Sequence, residues 1–176
     1  MRETRHLLLA VLTLGSLICG GSRAALAGQD CCKVPEEHPE YTVASLRGDY
    51  GVVATYGGNV ARALGVQTCD GLGNLKGSAI VNEPGPGGTR MVVSITFTGT
   101  YVVKPDGTGV MSLSIALPNG RTAKATEDFV ITRAEVEDKM PIATELVDAQ
   151  EQPSTVIPGG VFVTHTYTLR PERTRR

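Results

Sequence analysis

The stretch TRMVVSITFTGTYVVKPDGTGVMSLSIAL, residues 89–117, decides the fold. Two alternating runs flank the turn Lys104-Pro105-Asp106-Gly107. In the first run Val93, Ile95, Phe97 and Tyr101 fall on one face, with Ser94, Thr96, Thr98 and Thr100 on the other. In the second, Met111, Leu113, Ile115 and Leu117 oppose Ser112, Ser114 and Ala116. A period of two marks a strand with one apolar and one polar face. Pro and Gly at set offsets supply the turn between the strands.

Working outward, the same device repeats. Residues 46–56 (LRGDYGVVATY) read as the first strand, with Tyr50, Val52, Ala54 and Tyr56 on one face. Gly57-Gly58-Asn59 is a turn, and in residues 60–68 Leu64, Val66 and Thr68 alternate. Residues 70–74 (DGLGN) form a hairpin connection to the strand 75–82. Residues 84–88 (PGPGG) break any ladder, because proline cannot donate to one. Beyond the central hairpin, Pro118-Asn119-Gly120 turns into the strand 121–132, which places Ala123, Ala125, Glu127, Phe129 and Ile131 together. Residues 133–139 (RAEVEDK) read as a charged turn with room for a short helical turn. Residues 142–147 alternate, 148–160 read as a polar loop, and 161–169 (VFVTHTYTL) close the chain with Val163, His165, Tyr167 and Leu169 on one face. About eight strands joined by short connections favour neighbour-to-neighbour pairing. Closure removes both edges, so an all-β, antiparallel up-and-down barrel is expected, with a β-sandwich as the alternative.

The N-terminus has the signature of an export signal. Arg2 and Arg5 precede the apolar run 7–18 (LLLAVLTLGSLI), and Ala25-Leu26-Ala27 offers a small-x-small cleavage site. Cleavage after Ala27 is expected, with lipid anchoring at Cys19 as the weaker alternative, since Ile18 is bulky where a small residue is wanted. The run is short of the roughly 20 residues that span a bilayer, and no other stretch is long enough to be a transmembrane helix. The expected division is a signal peptide over 1–27, a Pro-containing arm over 28–44, a barrel over 45–170 and a basic tail over 171–176. The expected location is secreted or periplasmic.

Three cysteines, Cys31, Cys32 and Cys69, remain after cleavage. In an oxidising compartment the plain expectation is one bridge from Cys31 or Cys32 to Cys69. Zinc at Cys31 and Cys32 with Glu36, Glu37 and His38 is disfavoured by the Pro-rich arm. A formal charge of −1 leaves no basic footprint for nucleic acid, and eight aromatics without tryptophan provide no stacking platform. Arg47-Gly48-Asp49 spells an adhesion tripeptide, but it runs into a strand rather than standing on a loop tip.

The segments GVQTCDGLGNLKGS (65–78) and TFTGTYVVKPDGTGVMSL (96–113), with LRGDYGV (46–52), carry a resemblance. The chain resembles a family of small exported bacterial proteins with a G-x-x-T-x-D-G-x-G-N segment, a T-G-T-Y-x-V-x-P-D-x-T-G segment and an opening L-x-G-T-Y-G-F. The matching positions include Gly65, Thr68, Asp70, Gly71, Gly73 and Asn74, then Gly99, Tyr101, Pro105, Asp106 and Gly109, and the similarity runs over about residues 46–169. That family is similar to calycin-like or allene-oxide-cyclase-like barrels, so the resemblance implies a barrel. It brings no activity and no catalytic residue. Cys69 stands where the family has a bulky apolar residue, and Gly107 stands where some members have cysteine. Any disulfide here must therefore be this chain's own.

The chemistry-bearing candidates are few. Asp70, Asn74 and Asp106 lack the closely alternating oxygens of a calcium loop and read as turn caps, so no metal is expected. No cofactor is expected either, because phosphate loops, dinucleotide fingerprints and a G-x-S-x-G elbow are all absent. Glu127, His165 and Tyr167 lie on apolar faces, and with Phe97 and Tyr101 they are the candidates for lining a cavity. A carboxylate inside a barrel is costly unless paired. Three functions stay open: binding a small apolar ligand, isomerase or cyclase chemistry in the same cavity using Glu127, His165 or Tyr167, and a filled barrel that works through its surface.

Overall fold

Residues 89–117 form the expected hairpin. The computed structural model, described here for residues 39–157 and 159–171, joins β4 (Arg90–Val103) to β5 (Thr108–Ala116) with Phe97 opposite Ile115 and Tyr101 opposite Met111. Around it lie β1 (Arg47–Tyr56), β2 (Ala61–Asp70), β3 (Asn74–Pro84), β6 (Thr122–Glu137), β7 (Met140–Gln150) and β8 (Val163–Leu169). Each strand pairs antiparallel with the next, and β8 pairs back on β1, Tyr50 opposite Leu169 through Tyr56 opposite Val163. The result is a closed eight-stranded up-and-down barrel, which leaves no free sheet edge. Among the described residues the only helical pieces are single 3₁₀ turns at Val43–Ser45 and Pro86–Gly88. None is long and apolar enough to cross a membrane.

The inward set follows the alternation. Tyr50, Val52, Ala54 and Tyr56 of β1, Ile95 and Tyr101 of β4, and Met111, Leu113 and Ile115 of β5 are all buried. The interior is tight where rings lie over glycines. Phe97 is the register partner of Gly77, and Phe129 of Gly109. A β-carbon on either glycine would overlap the facing ring and a backbone carbonyl oxygen, of Val66 in one case and Val102 in the other.

Both barrel ends are covered. At the end where β1 begins, residues 41–46 cross the opening, with Tyr41 N–H donating to the Pro105 carbonyl at 3.2 Å and Leu46 fully buried. Residues 41–44 of it were expected to finish an arm. At the other end, residues 151–157 and 159–162 fold over the interior, anchored by the buried Ile157 and by the Ser154 N–H donating to the Val161 carbonyl at 2.7 Å.

Two boundaries differ from expectation. Residues 133–137 are not a charged turn: β6 runs on to Glu137 past an irregularity at Ile131–Ala134, and the hairpin turns at Asp138 and Lys139. Their charges sit on outward or end positions, where a strand tolerates them. Asp148, Ala149 and Gln150 are not loop but the end of β7. The signal segment, Cys19, Cys31, Cys32 and residues 172–176 lie outside the described residues.

Candidate functional site

Three adjacent strands bring the polar interior residues together. On one rung Asp148 of β7 pairs with Phe129 of β6 and with His165 of β8, and His165 pairs with Ala54 of β1. One rung away Glu127 of β6 pairs with Gln150 of β7. One rung to the other side Tyr167 pairs with Leu146. Alternation turns Glu127, Asp148, Gln150, His165 and Tyr167 to the same interior.

Asp148 is the hub. Its Oδ1 accepts from the His165 backbone N–H at 2.8 Å and lies 2.7 Å from His165 Nδ1. Its Oδ2 accepts from the Tyr167 hydroxyl at 2.6 Å. Burial alone would raise the Asp148 pKa, but the hydrogen bonds and charge of His165, with Glu127 and Tyr167 behind them, outweigh it and hold the group ionised. An ionised carboxylate only accepts, so His165 carries its proton on Nδ1 toward Asp148 and leaves Nε2 as its free nitrogen. Burial opposes charge on His165, yet its bond to Asp148 and the two nearby carboxyl groups raise its pKa. Burial pushes Tyr167 well above the usual phenol range.

Glu127 is 1 % exposed, with its Oε1 3.8 Å from His165 Nδ1. Burial is the main reason that its pKa climbs to about 8; His165 pulls it down and Asp148 adds to the rise. Its Oε2 has no hydrogen-bond partner among the described residues, and neither has Oε1 of Gln150. Buried oxygens without partners are uncommon, because each forfeits its hydration without return.

Beside this cluster lies a cavity of about 40 Å³. Gln150, His165 and Tyr167 form its polar side; Ala54, Ala63, Gly65 and Ala79 form a small-residue wall, with Ile95 and Phe97 next to it. Ser154 and Val156 of the covering loop also line it. A water needs roughly 10–15 Å³ of such space, so as closed the cavity admits a few waters or an ion. A larger concavity of about 1000 Å³ lies open at the opposite end, around Arg47, Asp49, Cys69 and Glu137. There Arg47 pairs with Glu137 at 2.8 Å, Asp49 accepts from Thr68 at 2.6 Å and Asp70 caps its own turn. The buried polar cluster of β6–β8 lies against the small cavity.

Of the residues expected to line a cavity, Phe97, His165 and Tyr167 do; Glu127 does not line it, and its Oε1 lies 3.8 Å from His165 Nδ1. Tyr101 does not. Its hydroxyl donates to the Leu46 carbonyl at 2.6 Å and accepts from Gly71 N–H at 3.0 Å, so it ties the end cap to the β2–β3 turn. Cys69 is buried at that same end, without a bridge to any described residue. Asp70 and Asp106 cap their own turns, Asp70 accepting from Asn74 and Leu72, and Asp106 from Thr108. Those bonds hold both carboxyl groups below the usual range.

Asp148 and Gln150 were missed, because Asp after an alternating run reads as a turn residue. Continuing the period past Val147 places Leu146, Asp148 and Gln150 on one face, which was the available signal. No protein-family model, curated protein or solved structure gives a significant match to this chain.

Proposed function

We propose that this protein is an exported barrel that binds one small ligand beneath residues 151–162. The ligand's polar group meets Gln150 and His165, and its apolar part lies along Ala54, Ala63, Ala79, Ile95 and Phe97. One observation supports this above the others: small side chains face an incompletely partnered polar cluster across an internal cavity. A barrel evolved only for stability would fill that space, since each void forfeits packing. The polar side extends the expectation of a purely apolar ligand toward an amphipathic one with a hydrogen-bond-donating end. A ligand larger than a few waters needs the covering loop to move.

Comparison of native with denaturing mass spectra tests the proposal. Wild type is expected to release a small molecule on denaturation. Ala63→Leu, which fills the cavity, is expected to carry at least tenfold less of it while staying folded. An interior that is empty in both proteins, and that takes up no amphipathic probe, would overturn the proposal.

A second reading, an isomerase or cyclase in the same cavity, is favoured by the Asp148–His165 pair. That bond orients the imidazole and leaves Nε2 available to take a proton from a bound substrate. Glu127→Gln separates the two: retained ligand with lost turnover supports chemistry, and retained ligand with no turnover in wild type supports a carrier.

A further inference from the structure

We propose that Glu127, Asp148 and His165 form a site for one first-row divalent metal ion, with Gln150 supplying a further oxygen. Each of the three offers a donor atom, and these atoms all lie within 4.8 Å of one another. Donors that share an ion at about 2.1 Å stand roughly 3.0–3.4 Å apart. The present separations of 2.7 Å and 3.8 Å from His165 Nδ1 bracket that spacing, and the ion would take the place of the Nδ1 proton, His165 then carrying its proton on Nε2.

The unpartnered Glu127 Oε2, on a residue 1 % exposed, points independently to a ligand. Gln150 Oε1, on its register partner, is a second buried oxygen without a donor. Gln150 Oε1 lacks a proton donor or a cation, and Glu127 Oε2 lacks a cation or, when it carries the carboxyl proton itself, an acceptor. Two carboxylates against a dication leave no net charge in the barrel, the condition under which buried charges persist. The imidazole nitrogen selects a first-row ion over calcium or magnesium, which prefer all-oxygen shells. The Tyr167 hydroxyl and the His165 backbone N–H on Asp148 are the outer bonds that would orient a ligating carboxylate. The ion shares His165 and Gln150 with the organic-ligand proposal but does not need the small-residue wall of Ala54, Ala63 and Ala79, and that wall is where the two can be tested apart.

The test uses the full chain carrying Cys31→Ser and Cys32→Ser, so that the arm's thiols cannot bind metal. After chelator treatment it is titrated with Co²⁺ and then Zn²⁺. One equivalent of Co²⁺ is expected, with visible bands and no thiolate charge-transfer band, displaced by Zn²⁺. Glu127→Gln is expected to weaken binding about a hundredfold and Gln150→Leu about tenfold. Circular dichroism checks that each variant is folded, and the milder Gln150→Leu serves if Glu127→Gln is not. Ala63→Leu is expected to keep the ion, which separates failure of this site from failure of the ligand proposal. Absence of stoichiometric Co²⁺, or binding unchanged in both Glu127→Gln and Gln150→Leu, would overturn the assignment.

Discussion

At the scale of single residues, the barrel is most exacting where a ring covers a glycine. A β-carbon at Gly109 would overlap both the Phe129 ring and the Val102 carbonyl oxygen. The ring can tilt, but the carbonyl belongs to the β4–β5 ladder and cannot yield. Overpacking costs typically 1–3 kcal/mol, so Gly109→Ala is expected near the upper end, about 3 kcal/mol, read from the midpoint of urea unfolding. A loss under about 0.5 kcal/mol would mean that the strand pair opens locally at little cost. Cys69 offers a second prediction. Burial is the first cause of its pKa rising to about 12, against 9.0 for an unperturbed thiol. A raised pKa keeps the thiol protonated at pH 8, so native reduced protein holds about a thousandfold fewer Cys69 thiolates than the unfolded chain. Peptide mapping after iodoacetamide treatment at pH 8 should leave the Cys69 peptide unlabelled until denaturant is added. Rapid native labelling would show that the end cap around Tyr101 and Leu46 does not exclude reagent.

At the scale of elements, the strands that face plain solvent on one side and plain core on the other were legible from alternation alone. The central hairpin, β1 and β8 fall where their patterns put them. The misreadings cluster on β6 and β7, and they share a physical cause. Arg133, Glu135 and Glu137 extend a strand pair whose outer positions tolerate charge, so composition suggested a turn over 133–139 that begins too early but does contain the true one. At Asp148 and Gln150 the pattern inverts, with polar side chains inward and Val147 and Ala149 away from the core. Hydropathy cannot tell that inversion from the end of a strand, and it falls where the candidate site lies. The tight, two-residue form of the β6–β7 turn was hidden for another reason. Asp138 and Lys139 take φ of 48° and 68°, the left-handed pair of a two-residue hairpin, without the Asn-Gly that usually announces it. A left-handed non-glycine residue costs roughly 1–2 kcal/mol, partly offset by the greater freedom of glycine in the unfolded chain. Lys139→Gly is therefore expected to stabilise the protein by about 0.5–1 kcal/mol, measured by chemical denaturation. A loss of stability would mean that the Lys139 side chain contributes more than its backbone strain.

At the scale of the whole molecule, closure was legible because eight short-linked strands with alternating faces have few other ways to hide their edges. How the ends are sealed was not, since neither residues 41–46 nor 151–162 carry periodicity. If the barrel binds a ligand as proposed, that sealing sets access to the cavity. The β1-start end is tied by Tyr101 to Leu46 and Gly71, and by the Tyr50 hydroxyl donating to the Ala143 carbonyl at 2.9 Å. The other end is held by Ile157, 1 % exposed, and by three backbone bonds: Glu151 to Thr126, Ser154 to Val161, and Gly57 to Phe162. A cover with one apolar anchor and few ladder bonds can open below the free energy of global unfolding. Truncating the anchor should loosen it further, because Ile→Ala forfeits about 2–5 kcal/mol of packing when the site cannot collapse. Ile157→Ala is thus expected to speed amide hydrogen exchange at Glu151, Ser154 and Gly57 by at least tenfold, and to leave the β4–β5 ladder between Thr96 and Val103 within about twofold. That result would make residues 151–162 the way into the cavity. Acceleration by the same factor at both places would mean that cover and barrel open only together. The interior would then be closed to exchange of any ligand on the timescale of native fluctuations, and whatever occupies it would have to be taken up during folding.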